Sequence, residues 1–338
     1  PGGRQAFQLD VPTEVGGVHV TSQSGGLAGD VVKVGAARGL RFAHVLSLGN
    51  AVDVSPAEVL ELAVADPAVR VVGAYLEGNG GDGERLVGAL RAARGVKPVV
   101  VLTGGLSVQG SQAAASHTGA LTGDRRVWGA VRRATNVAVV ERLEDLLGAL
   151  VFAQVYADHP ASGDPATLLV GVGGGASVLG ADACDRAGLV LAPVAAPAVE
   201  RLRALGYGAG TSVANPIEIG VGPAAPVDVV QGVLDAILPE QPFPDIIVHV
   251  NVQSYYGYGT AGTAPLCDLI RSVAGAWGSG RYPASRVVLV ARNLDVAPGP
   301  DVDAVLATAI GVGLPAYRTF DEAAVAVAAG KEFARGRV

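Results

Sequence analysis

The sequence predicts an α/β protein made of two flavodoxin-like, doubly wound parallel sheets in series, and three observations predict it. Short apolar runs rich in Val and Leu, at 18–22, 43–47, 71–76 and 99–102, are too continuous for a sheet with one wet face and read as buried parallel strands. Between them lie amphipathic stretches at 27–38, 56–65 and 84–94, of the length that a right-handed crossover helix needs. The alternation breaks at the polar stretch 158–165, which holds two prolines and one glycine, and then restarts. A chain of 338 residues with 50% apolar content has enough material for two cores.

The elements follow in order. The first domain, 1–157, continues after its fourth strand with a small-residue approach at 110–115 and a helix opening near Gly119, with its main body at 125–134. A strand at 137–140 and a helix at 143–156 complete it. The stretch 158–165 is the expected linker. The second domain, 166–338, reads as a strand at 167–172, a helix at 176–187, a short strand at 190–193 and a helix at 198–205. Later strands are expected at 246–252, 286–290 and 315–317, with helices at 227–238, 264–277, 301–311 and 321–334.

The formal charge of -6 and the pI near 5.4 come from scattered charges without a basic stripe, so nucleic acid and anionic membranes are excluded as expected partners. No apolar run reaches the ~20 residues that would span a bilayer, and Pro1-Gly2-Gly3-Arg4 lacks a signal-peptide layout, so the expected location is cytoplasmic. Cys184 and Cys267 read as two buried thiols, and no metal constellation is seen. Methionine is absent, even at position 1, which leads to the expectation of a fragment or one domain set of a longer protein.

The chemistry concentrates at Ser116-His117-Thr118-Gly119. An imidazole just before a helix start stands beside free N–H groups and a dipole that favour an anion, so His117 is a candidate phosphoryl carrier, with Thr118 and Gly119 as phosphate ligands; a capping or solvent-facing histidine is the rival. Ser22-Gln23-Ser24-Gly25-Gly26 ends the first strand and opens a helix. Its hydroxyls and N–H groups suit a phosphate, which makes Ser22, Ser24, Gly25 and Gly26 candidates; a nucleophile elbow at Ser24 and a plain turn are the rivals. Glu77, in Tyr75-Leu76-Glu77-Gly78, places a carboxylate at the sheet edge where such folds carry their sites, able to fix the tautomer of a histidine; a solvated Glu in the glycine-rich loop 78–83 is the rival.

Gly171-Val172-Gly173-Gly174-Gly175-Ala176 fits the loose dinucleotide pattern. The expected next strand ends Leu191-Ala192-Pro193 without an acid, so nicotinamide binding is disfavoured and a backbone turn facing another domain or a ligand is preferred. The other histidines read as ordinary, and Tyr255-Tyr256-Gly257-Tyr258 as either a pocket wall or a loop packed on the sheet.

These motifs, with Ser47-Leu48-Gly49-Asn50 and Asp53, Lys97-Pro98 and Asn215-Pro216-Ile217-Glu218, stand in the order seen in ADP-forming acyl-CoA synthetases, relatives of the succinyl-CoA synthetase alpha subunit. The chain resembles that family from about 17 to about 333. The resemblance implies two succinyl-CoA-synthetase-like domains and an acid–CoA ligase that interconverts acyl-CoA, phosphate and ADP with acid, CoA and ATP. His117 matches the phosphorylated histidine, Glu77 the carboxylate that orients it, and the two turns the helix starts that hold the phosphoryl oxygens. Asn50, Gly173, Gly174, Gly175 and Asn215 fall at substrate or interface positions.

The resemblance also implies CoA and ATP or ADP with Mg, bound mainly by domains outside these residues, and an acyl-CoA or organic acid substrate. An ATP-grasp domain or subunit is the implied partner, within a homo- or hetero-oligomer. Neither the N-terminal CoA-binding domain nor the ATP-grasp domain is recognised in these residues. Two departures stand out: Thr103-Gly104-Gly105-Leu106 where the family shows a Lys-Ala-Gly run, and Asn215-Pro216-Ile217-Glu218 for Asn-Pro-Val-Asp. The competing readings are a serine hydrolase or acyltransferase using Ser24 with His117, and a non-catalytic scaffold or partner subunit.

Overall fold

The computed structural model describes residues 14–78, 81–118, 124–160, 162–220, 222–256, 262–294 and 297–337, with the backbone alone at 115–118. The chain divides into two compact units, Pro1–Ala157 with Gly336–Val338, and Asp158–Arg335.

Unit 1 runs β1 (Val18–Ser22), α1 (Gly25–Ala37), β2 (Phe42–Ser47), α2 (Pro56–Ala65), β3 (Val71–Leu76), α3 (Gly83–Ala93), β4 (Val99–Thr103), α4 (Val108–Thr118), α5 (Arg125–Thr135), β5 (Ala138–Val140) and α6 (Leu143–Tyr156). Its strands are all parallel, in the order β2-β1-β3-β4-β5. β1 and β4 are buried along their whole length, as continuous apolar runs require. β2 is not: it is the sheet's edge, with Leu46 and Ser47 exposed, so the expectation of a buried strand there fails for lack of a covering neighbour.

Alternation sends the side chains of β3 to two faces. Val72, Ala74 and Leu76 join Leu60 of α2 and Leu86 and Leu90 of α3 in one core, against which Trp128 and Val131 of α5 pack. On the other face Gly73 lets α6 approach so closely that an added Cβ would meet Leu150 Cδ1 at 3.0 Å. α6 is apolar nearly all round and buried over most of its length, which is how a helix laid across a sheet reads. α2 starts on a capping box: the Ser55 hydroxyl accepts from Glu58 N at 3.2 Å, and the Glu58 carboxylate accepts from Ser55 N at 2.8 Å.

Unit 2 runs β6 (Thr167–Gly171), α7 (Gly174–Arg186), α8 (Ala196–Ala204), β7 (Ile217–Glu218), α9 (Val229–Ile237), β8 (Asp245–Asn251), a 3-10 turn (Val252–Tyr255), α10 (Ala264–Gly278), β9 (Arg286–Arg292), α11 (Gly299–Gly311), β10 (Ala316–Tyr317) and α12 (Phe320–Gly336). Its sheet, also parallel, has the order β10-β9-β8-β6-β7. Both units are therefore doubly wound α/β folds of flavodoxin type. The strand expected at 190–193 is only an isolated bridge between Ala166 and Val190. The edge strand is instead β7, from the Asn215-Pro216-Ile217-Glu218 motif, too short to show a period of two.

The polar stretch 158–165 is not loose. Lys331 donates to the carbonyls of Asp164 at 2.5 Å and Ala166 at 3.0 Å, and Arg335 donates to that of Gly163 at 3.0 Å. The buried Lys331 ammonium also pairs with Asp245 at 2.5 Å, and Asp245 takes a two-pronged bond from Arg286 at 2.7 and 2.8 Å. Turn-type composition marked this segment as a connection; the partners that fix it come from a helix more than 160 residues away.

Candidate functional site

In each sheet the chain lays a central strand, moves to one side and returns on the other, so the loops leaving the two central strands diverge and open a crevice. In unit 1 that crevice lies between β1 and β3, where Ser22 is paired with Ser47 on one side and Tyr75 on the other. Gln23 closes it. Its N–H donates to Tyr75 O at 3.1 Å, and its side-chain oxygen accepts from the N–H groups of Glu77 at 2.6 Å and Gly78 at 3.1 Å. The β1 and β3 loops, read separately in the sequence, are thus one structure joined by a residue that had no role assigned to it.

The hydroxyls of this turn serve its own backbone. Ser22 Oγ donates to Ser24 O at 2.7 Å and accepts from Ser24 N at 3.1 Å, while Ser24 Oγ accepts from Leu27 N at 3.3 Å as the cap of α1. The donors left for an anion are the N–H groups of Gly25 and Gly26 in the first helical turn. Space stands over them: a Cβ at Gly26 would meet nothing within 4 Å, and one at Gly25 only Ser47 Oγ at 3.6 Å. Ser24 itself is extended, φ -120° and ψ 122°, without the strained turn of a nucleophile elbow. The hydrolase reading loses its nucleophile geometry here.

Glu77 is held from one side only. Tyr75 donates its hydroxyl to Glu77 Oε1 at 2.9 Å, and Oε2 is buried with no hydrogen-bond partner among the described residues. Burial, followed by the hydrogen bond to Glu77, pushes the Tyr75 phenol up to about 12, so it stays a donor. A Cβ at Gly104 would come within 2.8 Å of the Tyr75 hydroxyl, and Gly104 N donates to Leu76 O at 3.0 Å. The departure at Thr103-Gly104-Gly105 therefore makes room for the tyrosine that positions the carboxylate.

His117 lies in the last turn of α4, a correction to its expected place before a helix start. The approach 110–115 is itself helical, with Ser107 Oγ accepting from Gly110 N at 3.0 Å at its start. Apart from Gly110 this run of small residues carries no breaker, and the Ser107 cap is the signal that marks its start. Thr118 thus ends a helix and presents carbonyls rather than N–H groups, and the helix start expected from about Gly119 lies outside the described residues. Gly119 lies outside the described residues, and α5 begins only at Arg125, capped by Asp124 at 2.8 Å from Arg126 N. Asn50 stands exposed in the turn after β2.

In unit 2 the crevice lies between β6 and β8. Gly173, at φ 90°, caps α7, and Gly174 and Gly175 open it. Asn251 Nδ2 donates to Val172 O at 3.2 Å across the crevice, and Arg292 donates to Asn251 Oδ1 at 3.3 Å. β7, the true neighbour of β6, ends on Glu218, whose Oε2 lies 3.6 Å from where a Cβ of Gly174 would be. An acid does therefore stand beside the glycine turn, missed because the neighbouring strand was placed at 190–193. Asn215 is fully used within the fold: Oδ1 accepts from Leu169 N at 3.0 Å, and Nδ2 donates to Thr167 O at 2.7 Å and Ala192 O at 3.0 Å. It substitutes for a strand partner along β6.

His249 is buried against Gly171, where a Cβ would come within 2.2 Å of its ring, and burial with the nearby Arg292 depresses it to about 4. Tyr255 is buried in the core, Tyr256 bonds Asp301, and 257–258 lie outside the described residues. Among the described residues, no group of three His, Cys, Asp or Glu could hold a metal ion, and no helix is long and apolar enough to cross a membrane.

Residues 15–153 match the succinyl-CoA ligase-like flavodoxin domain. The chain is 30% identical over 204 residues to the alpha subunit of ADP-forming acetate–CoA ligase II of Pyrococcus furiosus, covering 60% of this chain and 43% of that protein. It is 32% identical over 209 residues to ADP-forming acetate–CoA ligase I of Archaeoglobus fulgidus, covering 62% of this chain and 30% of that protein. Against ADP-forming 4-hydroxybutyrate–CoA ligase of Nitrosopumilus maritimus it is 30% identical over 191 residues, 55% of this chain and 26% of that protein. The matches thus span less than half the length of these relatives. The structure of dinucleotide-forming acetyl-coenzyme A synthetase 1 of Ca. Korarchaeum cryptofilum, in complex with phosphate and ADP, has the same fold. The TM-score is 0.78 at 23% identity, over 96% of this chain and 66% of that one.

Proposed function

We propose, from the chain's place in the ADP-forming acyl-CoA ligase family, that it is the phosphoryl-carrying part of an acid–CoA ligase, with His117 as carrier. The observation that carries this reading is Glu77: a carboxylate at the crevice edge, one oxygen anchored by Tyr75 and the other buried without a partner. Such an oxygen suits an imidazole N–H, which fixes the tautomer and leaves the opposite nitrogen to attack phosphorus. In the step assigned to this chain, that nitrogen forms an N–P bond as the acyl–oxygen–phosphorus link breaks, the leaving oxygen departing on the carboxylate of the acid. The open N–H groups of Gly25 and Gly26 fit the charge on the phosphoryl oxygens.

CoA supplies the thiol and the nucleotide with Mg the final phosphoryl acceptor; both are held mainly by other domains or subunits of the whole ligase, an ATP-grasp unit among them. The test is phosphorylation of the chain, with its ATP-grasp partner, by γ-labelled ATP. Acid-labile, base-stable label that disappears in His117→Ala supports the reading; label persisting in that variant overturns it.

A further inference from the structure

Beside Glu77, on the face of the sheet away from α6, helices α3 and α5 part and leave a cavity of about 120 Å³. Leu86 and Leu90 line it from α3, Trp128 and Val131 from α5, and Glu77 and Gly104 meet it at the sheet edge. Its walls are aliphatic apart from the indole, and its polar end is the carboxylate assigned above. An apolar cavity of about 150 Å³ elsewhere holds a benzene ring, so this one has room for a group approaching that size. Acetyl would leave most of it empty, and unfilled apolar space loses contacts on one side.

We propose that this cavity is the acyl pocket of the ligase, a reading that rests on the function proposed above, and that it takes an apolar acyl group up to about the size of a phenyl ring, presented as a neutral thioester, in preference to acetyl. The thioester end lies at the mouth of the cavity near Gly78 and Gly104, and the substituent runs between α3 and α5. Burying a ring in place of a methyl favours the larger acyl group by a factor of about 10 to 200 for each methylene-sized step that finds wall contact.

Trp128 is a built-in reporter, because the chain has two tryptophans and the other, Trp277, bonds Ser285 O in unit 2. In Trp277→Phe, the full chain is titrated with the N-acetylcysteamine thioesters of phenylacetate and of acetate while Trp128 emission is followed. The expected result is a saturable change with the phenylacetyl thioester at concentrations at least about 10-fold below those needed for acetyl. Val131→Phe fills the cavity and abolishes the phenylacetyl response; if that variant loses its circular dichroism, Val87→Phe, at another lining residue from α3, does the same. Equal responses to the two thioesters, or a phenylacetyl response unchanged in a folded filled variant, overturns the pocket. Labelling of His117 without phenyl preference removes the pocket and leaves the ligase reading standing. Phenylacetyl binding at Trp128 in a chain that never labels at His117, with its partner present, removes the assignment to the ligase reaction.

Discussion

The side-chain oxygen of Gln23 lies 2.6 Å from the backbone nitrogen of Glu77, so the residue after β1 fixes where β3 delivers its carboxylate. Gln23→Leu leaves two amide donors in a largely closed site without their acceptor. The expected cost is roughly 2 kcal/mol or more of unfolding free energy, read from urea denaturation. Gln23→Met, which keeps the side chain's length and volume but offers no comparable acceptor, is expected to lose about as much; a Gln23→Met chain as stable as the unaltered one would show that packing rather than the bond matters.

Tyr75→Phe removes the donor that anchors Glu77 Oε1 and leaves the ring's packing intact. The fold is expected to persist while the single-turnover rate of histidine phosphorylation falls about tenfold, in line with the loss of a hydrogen bond to a charged group. A rate equal to that of the unaltered chain removes Tyr75 from the positioning of Glu77.

His19 and His249 are both depressed to about 4, in each case first by burial and then by a neighbouring cationic group, His44 for one and Arg292 for the other. In the unfolded chain they titrate near the ordinary 6.5, so between pH 6.5 and 4 the unfolded state binds more protons. Stability is therefore fully present above that window and is lost as pH falls through it, by about 3 kcal/mol for each histidine. Urea midpoints measured from pH 7 to 4.5 are expected to drop steeply, and His249→Phe to flatten the slope; a slope unaltered in that variant rules His249 out as a contributor.

Gly171→Ala would put a methyl within 2.2 Å of the His249 ring, and the neighbour is a fully buried side chain with nowhere to go. A loss of about 3 kcal/mol is expected, as for an overpacked core. The same change made in His249→Ala should cost much less, and the coupling between the two, from a double-mutant cycle, is the measurement.

Lys331→Met keeps the length of the side chain but withdraws the charge from Asp245 and both donors from the carbonyls of Asp164 and Ala166. Removing one member of a buried ionic group costs about 3 kcal/mol. The segment 162–165 is then expected to become the first site of limited proteolysis, whereas the unaltered chain resists there; early cutting in both shows that Lys331 does not hold it.

What the sequence made legible was what repeats. Apolar runs such as 71–76 and 99–102 are long enough to show their burial, and the turns at Ser24 and Gly173 carry their own cap and glycine signals. β7 escaped because two residues cannot show a period, and its absence hid Glu218 beside Gly174. The place of His117 within a helix is hard to read because α4 is built largely from small residues whose periodicity is faint, so a helix looks like an approach to one. Gln23, Trp128 and Tyr75 take their meaning from partners on other elements. Asn215 was placed among the site residues by its motif, yet its three bonds all go to the backbone around β6.

Asp245 and Arg286 are the first residues of β8 and β9, so the ionic cluster with Lys331 occupies the edge of its sheet opposite to the one where Gly173, Asn251 and Arg292 gather. The two edges can accordingly change on separate schedules. Loops at the Gly173 end can be lengthened, shortened or exchanged among descendants without loosening the ionic cluster at the other end, and that cluster can be strengthened without reshaping those loops. A lineage with that division can vary one end of this sheet while retaining the other.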